Sequence, residues 1–274
     1  MTTLTSKYNS AELEKIFSDF NNLDLKKTSY EIVLKKIKDL FAGIICQIIP
    51  CPVSPIFRAR INKTTSFSNV DQLTFPKPHL LLDYGRLSKP HIPILYASSK
   101  VDSAVFEIQP NLNDTITIIK FELRPQFKYL QTYEIGVRDR FFKNIPHIID
   151  RDDKTSLSED YKEVVMKIES FFIKQISQII NKDESYKYKI TAAISEMTFL
   201  NNEFAECFLY PSIAGFMEGI NVGIKPNVFE EKYIPTFVSE FKIIAEKISK
   251  NYKRYDIRCA KTTKNILENG EIKW

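Results

Sequence analysis

An α+β fold is what this sequence predicts, on two observations. Runs with apolar residues at helical spacing are interspersed with runs of β-branched and aromatic composition. These do not alternate in the regular strand–helix–strand order that builds a parallel sheet. The 274 residues suit one large domain or one domain with an appendage. The expected division is a helical extension over residues 1–50, packed on the main domain or docking a partner, and a main domain over residues 51–274. With only seven glycines, one tryptophan and twenty phenylalanines, the core must lean on Ile, Leu, Phe and Tyr.

In chain order, SAELEKIFSDFNN (residues 10–22) reads as a helix. Ser10 is its expected cap, and Leu13, Ile16, Phe17 and Phe20 lie on one face. Thr28 to Phe41 repeats the pattern, with Ile32, Val33, Ile37, Leu40 and Phe41 inward and lysines outward. Ile44 to Pro55 is apolar with three prolines and reads as a connector or edge segment. Pro55 to Asn62 reads as a short strand. The stretch from Ser66 to Arg86 has little periodicity and two prolines, so a long loop is expected. A strand over Ile92 to Ala97 follows. Next comes a short helix from Lys100, capped by Ser98 or Ser99 and carrying Glu107 at or near its end.

DTITIIKFEL (Asp114 to Leu123) is a strand by composition, and Phe127 to Leu130 adds another. Gly136 to Thr155 is a polar connection. Ser156 with Glu159 makes a capping box for a helix whose stripe runs from Tyr161 to Ile179. Tyr188 to Phe199 is a further helix. Cys207 to Ile213 and Gly219 to Pro226 read as strands. Phe237 to Lys264 suggests a hairpin turning at Ser249 to Tyr252, with a helix up to Ile248 as the alternative. Asn269-Gly270 signals a type I′ turn and a last tight pair ending at Trp274.

Composition narrows the function classes. A net charge of +5, spread over a lysine-rich chain, is compatible with a small anionic ligand. It lacks the concentrated patch of a nucleic-acid binder, so no direct nucleic-acid contact is expected. Met1 to Ser10 is polar without an apolar h-region, and no apolar run reaches the length of a membrane span. A cytoplasmic protein without membrane contact is therefore expected. Cys46, Cys51, Cys207 and Cys259 form no CxxC and have no histidine near in sequence, so reduced thiols and no metal site are expected.

No phosphate loop, GxGxxG, HExxH or GxSxG is present, and the histidines are His79, His91 and His147. What remains is arginines and one acid. Arg58, Arg60 and Arg86 recur through Phe57 to Ile108, and guanidinium groups bind phosphates bidentately. Glu107 sits among Ala104, Val105, Phe106 and Ile108, where an acid needs a reason. A lone glutamate can accept hydrogen bonds from ribose hydroxyls and stabilise a developing sugar cation. Tyr96 lies on the strand just before.

Read together, these pieces resemble the RES-domain family, named for its arginine, glutamate and serine. FRAR (Phe57 to Arg60) is followed by GR-x-S-x-x-x-I-P-x-x-Y (Gly85 to Tyr96) and S-A-x-x-E (Ser103 to Glu107). Tyr210-Pro211-Ser212 and G-x-N-x-x-x-K-P (Gly219 to Pro226) complete the order. The resemblance covers about Phe57 to Pro226. It departs from the toxin-type form at two places: Leu87-Ser88 stand where that form has Trp-Asn after Gly-Arg, and His91 stands where a glycine is usual.

The resemblance implies a fold similar to ADP-ribosyltransferase toxins, with split β-sheets clasping NAD. It implies NAD as the substrate, and cleavage of the nicotinamide–ribose bond by hydrolysis or phosphorolysis, or transfer of ADP-ribose to a protein. It also implies a toxin or defence effector restrained by a helix-turn-helix antitoxin or another partner protein, with homo-oligomerisation left open. A non-catalytic nucleotide-binding module on the same fold is the remaining alternative. Carried over by residue, Arg58 and Arg86 would hold phosphates or the nicotinamide-side ribose, the choice between Arg58 and Arg60 staying open. Tyr96 would pack on the nicotinamide ring, and Glu107 would bond the ribose and stabilise the cation. Ser212 would position NAD, and Asn221 falls within the matching G-x-N motif.

Overall fold

The computed structural model describes residues 7–42, 44, 47–137, 158–212, 219–248 and 253–274. The fold is α+β, and the chain divides into two compact units, each assembled from three separate stretches.

The first unit comprises Met1–Cys51, Pro78–Ile92 and Gln131–Tyr210. Its helices are α1 (Ser10–Asn21), α2 (Tyr30–Leu40), α4 (Glu159–Ile176) and α5 (Lys189–Ser195), the last running into a π-turn over Glu196–Leu200. Three strands belong with them, in the order β1 (Ile49–Cys51), β5 (Leu130–Glu134) and β6 (Cys207–Pro211), with β5 and β6 parallel. Aromatic side chains join the helices: Phe17 stacks on Phe171 at 4.5 Å and Phe41 on Phe172 at 4.9 Å. Burial of such rings is the main favourable contribution to the packing of this layer.

Three sequence expectations shift here. The cap of α1 is Asn9, not Ser10: its side chain accepts from the Glu12 amide while the Glu12 carboxylate accepts from the Asn9 amide. Ser156 of the expected capping box lies outside the described residues, and α4 begins at Glu159 after Ser158, whose hydroxyl accepts from the Tyr161 amide. The apolar stripe of α4 stops at Ile176, because the helix ends there and leaves Ile179 77% exposed. The polar connection expected over Gly136 to Thr155 lies almost wholly outside the described residues.

The second unit comprises Pro52–Lys77, Pro93–Leu130 and Pro211–Trp274. Its strands are β2 (Ile56–Ile61), β3 (Leu95–Ser98), β4 (Thr115–Leu123), β7 (Ile220–Ile224), β8 (Tyr233–Ile248) and β9 (Lys253–Thr263). They lie in the order β7-β3-β2-β4-β8-β9 and every pairing in the resolved registers is antiparallel. Helix α3 (Val101–Ile108) covers one face, where Ala104 and Val105 pack on Ala59, Ile116, Ile118 and Ile243.

The hairpin pairing expected over Phe237 to Lys264 is present, with β8 starting earlier, at Tyr233, and the helical alternative up to Ile248 is not; the turn expected at Ser249 to Tyr252 lies outside the described residues. The strand expected over Gly219 to Pro226 ends at Ile224, and Pro226 instead opens helix α6 (Pro226–Lys232). Pro226 occupies the first turn of that helix, where its missing N–H costs nothing. The strand expected at Phe127 to Leu130 begins only at Leu130. The long loop is interrupted by 3₁₀ turns at Val70–Leu73 and Pro78–Leu80. Near the C-terminus Ile266 bridges Ile272, but of the two central residues only Gly270 has positive φ, 81°. A type I′ turn needs positive φ at both positions, so the turn is of another kind.

Candidate functional site

Glu107 lies in the last turn of α3, and Gln109 closes the helix in the left-handed region at φ 44°. The C-terminal end of a helix carries partial negative charge, so a carboxylate there needs donors. Two are supplied from elsewhere in the chain. The Ser212 hydroxyl donates to Glu107 Oε1 at 3.1 Å, and the Asn221 side-chain amide donates to the same oxygen at 2.6 Å. Asn221 stands on β7 directly across from Ser98 on β3, and its Oδ1 accepts from the Ser98 hydroxyl at 2.7 Å. The donors are deep while the acid they hold is exposed: Ser212 is 0%, Asn221 2% and Ser98 2% exposed. Glu107 Oε2 has no hydrogen-bond partner among the described residues. Of the flanking residues expected to be buried, Ala104 and Val105 are buried and Phe106 and Ile108 partly so, while Glu107 itself is exposed.

The backbone explains the close fit. Ser212 N–H donates to the Gly219 carbonyl at 2.9 Å, and the Ser99 hydroxyl accepts from the Ile220 amide at 3.2 Å. A Cβ at Gly219 would stand 1.9 Å from Ser103 Oγ and 2.9 Å from Ser103 Cβ. Glycine is therefore what lets this segment approach α3. The expected cap of α3 by Ser98 or Ser99 is not found: the cap position is Lys100 and makes no side-chain bond. Both hydroxyls are used across the sheet instead.

Arg58 and Arg60 share one face of β2, as alternation predicts. It is the face away from α3, because the intervening Ala59 packs with Ala104 and Val105. The register between β2 and β3 consists of one pair, Phe57 with Ser98. Beyond it, the Tyr96 carbonyl accepts from the Arg58 guanidinium. Arg60 donates to the Thr74 carbonyl at 2.7 Å. Neither arginine has an acidic partner among the described residues, and Arg58 Nε is buried with none at all. Burial, together with the neighbouring Arg60 charge, pushes the Arg58 guanidinium down to about 9. Burial also lowers Arg60. Guanidinium groups left short of counter-charge favour an anion, since removing a charge from water without a partner is costly.

Six of the seven expected site residues, Arg58, Arg60, Tyr96, Glu107, Ser212 and Asn221, belong to the second unit. Hydrogen bonds join Glu107, Ser212 and Asn221 into one cluster and Arg58 with Tyr96 into another. Arg86 belongs to the first unit, where its guanidinium donates to the Ile176 and Gln178 carbonyls and lies 5.3 Å from the Tyr188 ring centroid. His91, at the position where the resembled family has glycine, adopts φ 66°, a conformation glycine takes freely and other residues seldom do.

Sequence reasoning missed Ser98 as a bonded member of the cluster and Ser103 as the neighbour of Gly219. The only signal for Ser98 was a hydroxyl at the end of a strand, which reads equally well as a cap.

No family model matches this chain, and no curated protein matches it.

Proposed function

We infer that the chain is an NAD-degrading enzyme that cleaves the nicotinamide–ribose bond by hydrolysis or phosphorolysis, acting as a toxin or defence effector. The observation that carries this reading is the Glu107 carboxylate, fixed at Oε1 by Ser212 and Asn221 and open at Oε2. In the reaction the C1′–N bond breaks with its electron pair leaving on nicotinamide, whose ring nitrogen becomes neutral. Positive charge then develops on the ribose, and a preoriented carboxylate stabilises it without having to reorganise. Water attacking C1′ gives ADP-ribose and a proton; phosphate attacking the same carbon gives ADP-ribose carrying the phosphate at that carbon.

Arg58 and Arg60, short of acidic partners, are the residues we assign to the substrate's phosphates. Tyr96 is assigned to the nicotinamide ring; Arg86, whose guanidinium donates to the Ile176 and Gln178 carbonyls within the first unit, is not assigned to the substrate. A restraining partner protein, such as a helix-turn-helix antitoxin, belongs to the same reading.

Incubating the purified chain with NAD, with and without phosphate, and measuring released nicotinamide tests it directly. Phosphate-dependent release indicates phosphorolysis, and release without phosphate indicates hydrolysis. Release that depends on added cell extract and labels a protein would move the reading to ADP-ribosyl transfer. No release under any of these conditions rejects NAD cleavage.

A further inference from the structure

We propose that Ser98 is a positioning residue for Glu107, acting through the Asn221 side-chain amide; the effect on turnover rests on the NAD-cleavage reading above. An amide can face its neighbours in two ways, related by a half-turn about its last torsion. In one way Nδ2 meets the Glu107 carboxylate and Oδ1 meets Ser98. In the other, Oδ1 opposes a carboxylate oxygen, acceptor against acceptor. Only the first is compatible with an ionised Glu107, which accepts and cannot donate. With that orientation Ser98 must donate, and its single hydroxyl hydrogen goes to Asn221 Oδ1 at 2.7 Å.

Three features separate this from an ordinary buried hydroxyl. Ser98 is not needed to cap α3, whose cap position makes no side-chain bond. Its bond goes to the amide of the paired strand rather than to a backbone carbonyl, where a core serine most often finds its acceptor. And Asn221 is 2% exposed, so loss of the Ser98 donor leaves Oδ1 with no water to replace it. The amide would then be held by Glu107 alone, and Oε1 by a looser donor. Because Ser212 and Asn221 both act on Oε1, the aim of Oε2 depends on each of them.

The test compares full-length wild type, Ser98→Ala, Asn221→Ala and the double variant in NAD turnover, with the side-chain amide of Asn221 followed separately by ¹⁵N–¹H spectroscopy. Asn221→Asp identifies that signal by its disappearance. Ser98→Ala is expected to lower kcat about threefold to tenfold with KM unchanged, the size of one hydrogen bond. The double variant is expected to be no slower than Asn221→Ala, because Ser98 has no route to Glu107 except the amide. Ser98→Thr, which keeps the hydroxyl, should restore kcat. The Asn221 amide signal should move in Ser98→Ala.

Unchanged kcat in Ser98→Ala, additive losses in the double variant, or an unmoved amide signal overturns the proposal. If wild type releases no nicotinamide but the amide signal moves, NAD cleavage fails and the positioning role stands. Should Ser98→Ala not fold, Ser98→Cys, with a weak donor of similar size, is expected to give an intermediate shift and is read the same way.

Discussion

Glu196 and Glu107 each sit at the centre of a small hydrogen-bonded network, one in each unit, and the two networks are built in opposite senses. Glu196 is buried. Its Oε2 accepts from the Tyr30 hydroxyl at 2.8 Å and faces Lys89 Nζ at 3.0 Å, while Oε1 faces the Asn201 amide at 3.5 Å. Burial alone would raise its pKa, but the Lys89 and Tyr30 contacts outweigh burial and hold the carboxyl below its usual range. Glu107 is exposed, and both of its donors act on one oxygen. A carboxylate with both oxygens occupied is part of the frame: here it ties α2 to the π-turn after α5. A carboxylate bonded through one oxygen on an exposed residue leaves its other oxygen available to a ligand.

This contrast can be broken experimentally, starting where the effect should be greatest. Glu107→Gln should lower NAD turnover about 100-fold or more, the scale for losing a preorganised electrostatic group, while thermal stability changes little. A large loss of stability with preserved turnover per folded molecule would erase the distinction. Glu196→Ala should do the reverse. It strands the buried Tyr30 hydroxyl, costing about 1–3 kcal/mol in urea unfolding, with nicotinamide release per folded molecule unaltered. Gly219→Ala should cost about 1–3 kcal/mol as an overpacked contact and also slow turnover, since Ser103 and Glu107 share a helix. Removing the Ser103 side chain in the same protein, by Ser103→Gly, should recover part of both losses.

The smallest effect is in pH dependence. Glu196 has a lowered folded pKa, so its contribution to stability is fully present above the ordinary carboxylate value of 4.5 and is lost as pH falls below it. Unfolding free energies of wild type should therefore decline more steeply with acidification than those of Glu196→Gln. Equal slopes would mean that the Lys89 and Tyr30 contacts do not bias the proton equilibrium.

How much of this was legible beforehand depended on the range of the interaction. Helices α1, α2 and α4 announced themselves by spacing, because amphipathicity is a local pattern. Their first residues were less clear: Asn9, Ser10, Ser156 and Ser158 are all chemically able to cap, and only the backbone decides among them. Strands β2 and β4 were legible for the same local reason. Helix α6 was not, since a proline after a β-branched run signals a strand end as readily as a first helical turn. The arginine pair on β2 followed from alternation, and the exclusion of Ser98 from capping did not. Glu107, Ser212 and Asn221 were singled out through motif order rather than physics. Nothing local to Glu107 says that its donors lie 105 and 114 residues further on.

That separation bears on the order in which the chain is made. A ribosome that has released residues 1–210 has delivered Arg58, Arg60, Arg86, Tyr96 and Glu107, but neither Ser212 nor Asn221. Strand β3 then lacks its β7 partner, and Ser98 has no amide to address. Closing a loop of this length costs only slightly more than closing one half as long, so once the remaining segment emerges the acid is gripped without a large entropic penalty. An unfinished chain thus carries the acid without its grip, and competence would arrive only once Ser212 and Asn221 have been made. For a protein whose proposed activity consumes NAD, that order would keep nascent chains harmless inside the cell that makes them.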